Sequence, residues 1–171
     1  MSGAPEPAPQ KDPVEVVREM ALRSLDRRSY GIAELKAKLL SKGADEAVVD
    51  DVLSRLTRVG LLDDAKYAAD LVAERHGVRH QSRQATVLEM KRRGLDADVI
   101  DEATSTIDAD DDLEGARRIV AQRLPRLVGL DRTVIWRRLS GALARRGYGP
   151  AVVSTVVREA IQDVSSDVHG L

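Results

Sequence analysis

The side chains available for chemistry are three histidines, 28 carboxylates and 27 lysines and arginines, because the 171-residue chain has no cysteine. Without thiolates, disulfide formation, cysteine nucleophiles and thiolate metal sites are excluded. His76 and His80 stand four residues apart, a spacing that on a helix can share a metal, but Gly77 lies between them and no third ligand is placed. Protein zinc sites take three or four protein ligands. His169 lies near the C-terminal end, and no Gly-x-Ser-x-Gly elbow offers a nucleophile. No glycine is followed by Lys-Ser or Lys-Thr, so the phosphate-cradling loop of an ATPase is absent as well. Carboxylate groups such as Asp50 with Asp51, or Asp110 to Asp112, suit solvated faces and helix starts better than acid–base work. These observations predict a protein that is not an enzyme and holds neither cofactor nor metal.

Binding chemistry is better represented. The totals of 27 basic and 28 acidic residues nearly cancel, yet their placement is uneven. From Arg132 to Arg158 there is no acidic residue, while Arg132, Arg137, Arg138, Arg145, Arg146 and Arg158 are present. A second cluster contains Arg75, Arg79, Arg83, Lys91, Arg92 and Arg93, opposed only by Glu89. Each cluster creates a local positive field suited to phosphates or to an acidic protein surface. Lys42, Arg92, Arg93, Arg145 and Arg146 also precede glycines, where a cation favours a helix C-terminus. Arg79, Arg83, Arg137 and Arg138 have no such structural role and point more directly to a partner. Trp136 falls about 60° from Leu139 on a helical projection, at the flank of the apolar stripe, where core packing is favoured over stacking on an unpaired base.

The elements that position these groups repeat. Gly43, Gly94 and Gly147 are spaced 51 and 53 residues apart, in the range of repeat architectures. Two residues after each stands a helix-capping type, Asp45, Asp96 or Gly149, followed by apolar residues at helical spacing. Upstream helices carry Leu35 and Leu39, then Val87 and Met90, then Ile135, Leu139 and Leu143, with Thr86 standing where Leu35 and Leu139 do. A further helix opens each unit. Asp12 can cap Pro13 with Glu15 placed for a capping box, Asp63 or Asp64 can start the second, and the third begins in the acidic run at Asp110 and stops before Pro125. No segment alternates with a period of two. The fold class is therefore all-α: three tandem three-helix repeats forming an elongated, curved body. The expected boundaries are a disordered Pro-rich tail over 1–12, repeats over 13–60, 61–109 and 110–161, and a flexible tail over 162–171. The tyrosines Tyr30, Tyr67 and Tyr148 are expected as packed rings with hydroxyls reaching water or backbone. The chain is also expected to be cytoplasmic, without a membrane segment, and monomeric.

The run Gly60-Leu61-Leu62-Asp63-Asp64-Ala65-Lys66-Tyr67-Ala68 resembles the Gly-aromatic-Leu-Asp-Asp-x-x-aromatic-Ala signature of the RecX family, with Leu61 departing from the usual aromatic. Arg27-Arg28-Ser29-Tyr30, Glu34-Leu35, Lys38-Leu39 and Lys42-Gly43 are similar to that family's first repeat, and Arg145-Arg146-Gly147-Tyr148 fits the third. Ala44 and Leu95 replace aromatics often found after the first two glycines. The resemblance spans residues 14 to 161. It implies a modulator of the RecA recombinase that binds RecA, lies along the groove of its filament on single-stranded DNA, and inhibits ATP hydrolysis, strand exchange and co-protease activity. Direct contact with DNA is part of that expectation. Richness in Ala, Arg, Val and Asp suggests a GC-rich, actinobacterial source.

Two other readings compete. A three-helix unit with a basic helix can imitate a helix-turn-helix module and regulate double-stranded DNA, but only Gln81 and Gln84 approach the composition of a recognition helix. The other reading is a helical scaffold without nucleic acid.

Overall fold

The glycines that mark the sequence repeat terminate helices by a feature that glycine accommodates best. In the computed structural model, which describes residues 12–169 and side chains through Asp163, Gly43, Gly94 and Gly147 have φ of +83°, +79° and +82°. This left-handed conformation closes a helix and satisfies its last carbonyls. The Gly147 N–H donates to the Ala144 carbonyl at 2.9 Å, and that of Tyr148 to Leu143 at 3.3 Å.

Nine α-helices fall in three successive triplets among the described residues, with no strand. The first is α1 (Pro13–Leu25), α2 (Ile32–Leu40) and α3 (Glu46–Arg58). The second is α4 (Asp64–Val72), which runs into a π-helical turn (Ala73–Val78), then α5 (Arg83–Arg92) and α6 (Ala97–Thr104). The third is α7 (Ala109–Arg123), a 3₁₀ turn (Leu124–Arg126), α8 (Arg132–Ala144) and α9 (Pro150–His169). The all-helical, three-repeat fold expected from the sequence is what the chain adopts.

Local chemistry explains most helix starts. Asp12 accepts from the Val14 N–H, Asp45 from Ala47 and Val48, and Asp108 forms a capping box with Asp111 at the head of α7. Glu15 instead pairs with Arg18 at 2.9 Å. Asp96 occupies the N-cap of α6 without a side-chain bond. The disordered tail expected over 1–12 lies outside the described residues except for Asp12. At the other end α9 continues to His169, past the boundary placed at 161. Val164 and Val168 follow Ile161 at helical spacing and extend its periodicity.

The helices gather into two compact units, one comprising residues up to Tyr67 with Arg93–Leu95, the other Ala68–Arg92 with the chain from Asp96 onward. The first has a core of Val17, Ala21, Leu35, Leu39, Val49, Val52, Leu53, Leu56 and Leu62 with Tyr30. In the second, Ile119, Val120, Ile135, Leu139, Leu143, Val156, Val157 and Tyr148 are buried together between α7, α8 and α9. Thr86 of α5 is also fully buried, and its hydroxyl donates to the carbonyl of Ser82, just before that helix, at 3.0 Å, so the irregular residue of the second repeat is satisfied locally. No helix among the described residues is long and apolar enough to cross a membrane.

The glycine corners differ in what surrounds them. A Cβ at Gly147 would meet the Ala85 Cβ at 2.6 Å and the Ser82 Oγ at 2.9 Å, whereas one at Gly43 would meet nothing within 4 Å. Gly43→Ala should cost only the left-handed strain, about 1–2 kcal/mol. Gly147→Ala adds overpacking and should cost about 2–4 kcal/mol in total. Urea unfolding of the full chain measures both, and equal losses would show that the contact with Ala85 is not close.

Candidate functional site

Whether an arginine can serve a partner depends first on whether a carboxylate already holds it. In the cluster from Arg75 to Arg93 most are held. Arg75 is largely buried and bonded to Glu89 at 2.9 Å and Glu74 at 3.2 Å. Arg79 pairs with Glu74 at 2.6 Å. Arg83 donates from Nε to the Thr104 carbonyl at 3.3 Å and from Nη2 to its hydroxyl at 3.2 Å. Arg93 donates to the Tyr67 hydroxyl at 2.5 Å and lies 3.7 Å from Glu34. Lys91 and Arg92 are exposed at the end of α5. Arg75, Arg79 and Arg93 are thus held by carboxylates, whereas Arg83 is positioned by the neutral Thr104 and keeps its charge.

The cluster after Arg132 behaves differently. Arg137, Arg138, Arg145 and Arg146 line a groove of about 860 Å³ together with Gln122, Arg123, Arg126 and Leu127. Six of the eight lining residues are arginines and none is acidic. None of the six is ion-paired with a carboxylate among the described residues, whereas nearby Arg117 and Arg118 are taken by Glu159 and Glu114. The groove is built by the end of α7, the 3₁₀ turn at Pro125 and the outer face of α8. Ile135, Leu139, Ala142 and Leu143 fix α8 to the core, which turns Arg137 and Arg138 outward. Gly141 leaves room for Arg145, whose Nη1 would lie 3.3 Å from a Cβ there. Arg146 is braced by donating from Nε to the Arg79 carbonyl at 3.2 Å. The arrangement can hold several phosphate or carboxylate groups along a line, and no general base or nucleophile accompanies it.

Arg123 and Arg126 also line the groove, although the acid-free stretch read from the sequence starts beyond them. Asp131 interrupts the acid-free stretch that starts at Arg132, yet no acidic residue stands from 115 to 130 either. Asp131 does not oppose the field from inside the groove: it is the N-cap of α8 and accepts from the Thr133 hydroxyl and N–H. Those hydrogen bonds, the hydroxyl's first, hold its carboxyl below the usual value. Arg132 lies apart from the groove, beside Trp136, Thr133 and Arg158. Trp136 itself is 38% exposed, not packed in the core as its flank position suggested.

His76 and His80 do not converge on a metal position. His76 Nδ1 lies 2.9 Å from the Gln81 carbonyl, and His80 stands outside the helix with φ of +49°. Among the described residues no group of three or more His, Asp or Glu could hold a metal ion.

Models of the first and second RecX three-helix domains match residues 18–56 and 63–103. The regulatory protein RecX of Streptomyces coelicolor is 37% identical over 163 residues, which span 95% of this chain and 87% of that protein. This chain belongs to the RecX family. The RecX of Mycobacterium marinum is 42% identical over 144 residues, 84% of this chain and 83% of the relative. Its fold is also that of solved RecX structures: the crystal structure of RecX from Lactobacillus salivarius superposes with a TM-score of 0.71 at 16% identity, covering 90% of this chain and 99% of that one. The family match makes this chain a regulatory protein by kinship, and its actinobacterial relatives agree with the composition.

Within this RecX chain, family-like residues Arg28, Tyr30, Glu34 and Tyr67 form a cluster with Arg93. Arg28 pairs with Glu34 at 2.6 Å and lies 3.6 Å from the Tyr30 ring centre, while Lys38 donates to the Tyr30 hydroxyl at 2.5 Å. The Tyr67 hydroxyl donates to Glu34 at 3.1 Å. Two of the three tyrosine hydroxyls thus meet charged side chains; only that of Tyr148 reaches backbone, at the His80 carbonyl. Burial pushes the Glu34 carboxyl up, but hydrogen bonds from Arg28 and Tyr67, with the Arg28 and Arg93 charges, leave it below its ordinary 4.5.

Two outcomes follow from these placements. Arg93→Ala removes a partner of Tyr67 and Glu34 and should destabilise the fold by about 1–3 kcal/mol, while Arg138→Ala, exposed and unpaired, should stay within about 0.5 kcal/mol; denaturation midpoints that reversed this order would contradict the division. A carboxylate held low when folded contributes stability that is complete above its unfolded pKa and is lost as pH falls through the folded one. Stability should therefore decline as the solution is acidified below about pH 5, and Glu34→Gln should flatten that slope while lowering stability at neutral pH.

Proposed function

We propose that this RecX chain restrains the RecA recombinase by docking its α7–α8 arginine groove onto the RecA filament on single-stranded DNA, inhibiting ATP hydrolysis, strand exchange and co-protease activity. The observation that carries this reading is the set of six arginines around one groove with no acidic lining residue. Such a surface attracts a filament that presents phosphates and acidic side chains, and attraction of this kind also accelerates encounter. Membership of a family of regulatory proteins supports a role in which binding alters another protein's activity. Once bound, a folded helical body across neighbouring protomers restrains the motions that ATP turnover requires.

The test is RecA ATPase activity on single-stranded DNA titrated with the full chain. Inhibition is expected, and saturation well below one chain per protomer would indicate action at filament ends. The Arg137→Glu, Arg138→Glu double variant should need at least about tenfold more protein for the same inhibition, because it replaces attraction with repulsion at the groove. Absence of inhibition by the unaltered chain would sink the proposal, and full inhibition by the folded double variant would remove the groove from it.

A further inference from the structure

Trp136 is the chain's single tryptophan, and α8 does not bury it. It lines a hollow of about 350 Å³ on the α9 side of α8, with Arg132, Thr133, Arg158, Ile161 and Gln162. Burying an aromatic ring is among the larger apolar gains open to a fold, so an indole left 38% exposed beside a hollow is an unused contact surface. The ring and Ile161 give the hollow its apolar lining, Arg132 and Arg158 line it too, and no carboxylate does so among the described residues. A ligand that fits has a flat apolar face and anionic groups beside that face.

The arginine groove lies on the other flank of the same helix. Successive residues of a helix are turned by about 100°, so Trp136, Arg137 and Arg138 step around the exposed side of α8 from the hollow to the groove. Arg137 stands on the ridge between them. A flexible polyanion lying over this ridge would meet cations at every step: Arg138 and Arg145 on one flank, Arg137 at the top, Arg132 on the other. An acidic peptide satisfies the charges but has no regular flat group to offer the indole. A duplex satisfies the charges but keeps its base faces stacked on one another. A single nucleic-acid strand satisfies both, because stacking of an unpaired base on an aromatic ring tolerates any sequence while the phosphates engage arginines.

We propose that Trp136 stacks on an unpaired base of a single nucleic-acid strand whose phosphates cross α8 through Arg132, Arg137 and the arginine groove. The chain then distinguishes single strands from duplexes by one aromatic contact. This rests on reading the groove as a polyanion surface, and it places a base contact where charge alone would bind any phosphate chain.

With one tryptophan in the chain, intrinsic fluorescence reports on this ring directly. The full chain, without RecA, is titrated with oligothymidylate, with an abasic oligomer of the same length, with a blunt duplex and with polyglutamate, and fluorescein-labelled strands report binding by anisotropy. Oligothymidylate should quench the emission, whereas the abasic oligomer should bind with little quenching. Trp136→Leu should weaken oligothymidylate binding by about 5- to 100-fold and leave abasic binding within about twofold; Trp136→Tyr should restore most of the loss, which a merely unfolded variant would not allow. Arg137→Glu should weaken every strand. Equal quenching by the abasic oligomer, binding of oligothymidylate without quenching, or stronger quenching by polyglutamate would each overturn the proposal, the last in favour of a peptide site. If no strand binds the free chain, the proposal fails; RecA ATPase inhibition measured on the same preparation then shows whether the regulatory reading stands without it.

Discussion

The left-handed corner at Gly147 is the constraint on which the arginine groove depends. It stops α8, and it is held from two directions within its unit: the Ser82 hydroxyl donates to the Gly147 carbonyl at 2.7 Å, and the Ser82 N–H donates to the Arg146 carbonyl at 3.0 Å. Ala85 closes against the same glycine, leaving no room for a side chain. The last turn of α8 is thereby fixed at the head of α5, and with it the directions of Arg145 and Arg146. A turn that could shift would let these two guanidinium groups swing away from Arg137 and Arg138, and the groove would lose its continuity. The Nε contact from Arg146 to the Arg79 carbonyl adds a third point of attachment. Rigid placement of this kind lets several long side chains act together on one ligand at reduced entropic cost.

Carboxylate placement then decides which cations remain available. The chain as a whole is nearly neutral, at a formal charge of −1, and that total conceals a division. Arg28 and Arg93 meet Glu34, Arg55 meets Asp51, Arg75 meets Glu74 and Glu89, and Arg117 meets Glu159. These pairs lie on helix faces or between adjacent helices, where acids recur at helical spacing. The segment from 115 to 158 has only Asp131, and that carboxylate is engaged at the start of α8. Free positive charge therefore collects along α7 and α8 with no need for an excess of basic residues overall.

The fold was largely legible because its signals are local. Gly43, Gly94 and Gly147 mark positions that require positive φ, Asp45 and Asp12 cap the helices they precede although Glu15 forms no capping box, and apolar spacing identifies the buried face of each helix. What escaped notice depends on tertiary surroundings. Arg93 and Arg138 look alike in sequence, and only the approach of Glu34 and Tyr67 separates a structural arginine from an available one. Arg123 and Arg126 flank a proline that marks the end of a helix, and the last residue of α7 and the 3₁₀ turn after it place them in one groove with α8. Trp136 sits near enough to the apolar stripe to look buried, but it borders a hollow between α8 and α9 and is left 38% exposed. The division into compact units was likewise invisible, since Tyr67 and Arg93 join the first unit from sequence positions within the second repeat.

Six guanidinium groups around one groove, without a carboxylate partner among the described residues, repel one another, and stability alone would favour a carboxylate among them. Elsewhere the same chain supplies such carboxylates readily, as Glu34 and Glu89 show. Their exclusion from the groove is therefore a departure from the local pattern, of the kind that marks a functional surface in an otherwise consistent sequence. Gly141 is a second departure in the same place: a glycine in a helix interior costs about 1 kcal/mol relative to alanine, and here it leaves space for the Arg145 head. Exposure of the only tryptophan is a third. Each weakens the isolated fold slightly, and all three meet at α8, whose buried face is otherwise an ordinary run of Ile135, Leu139, Ala142 and Leu143, with α7 and the 3₁₀ turn completing the groove. A binding partner that brings negative charge and a flat apolar group relieves the repulsion and covers the ring together, so the features that cost stability in the free chain become favourable contacts in the complex.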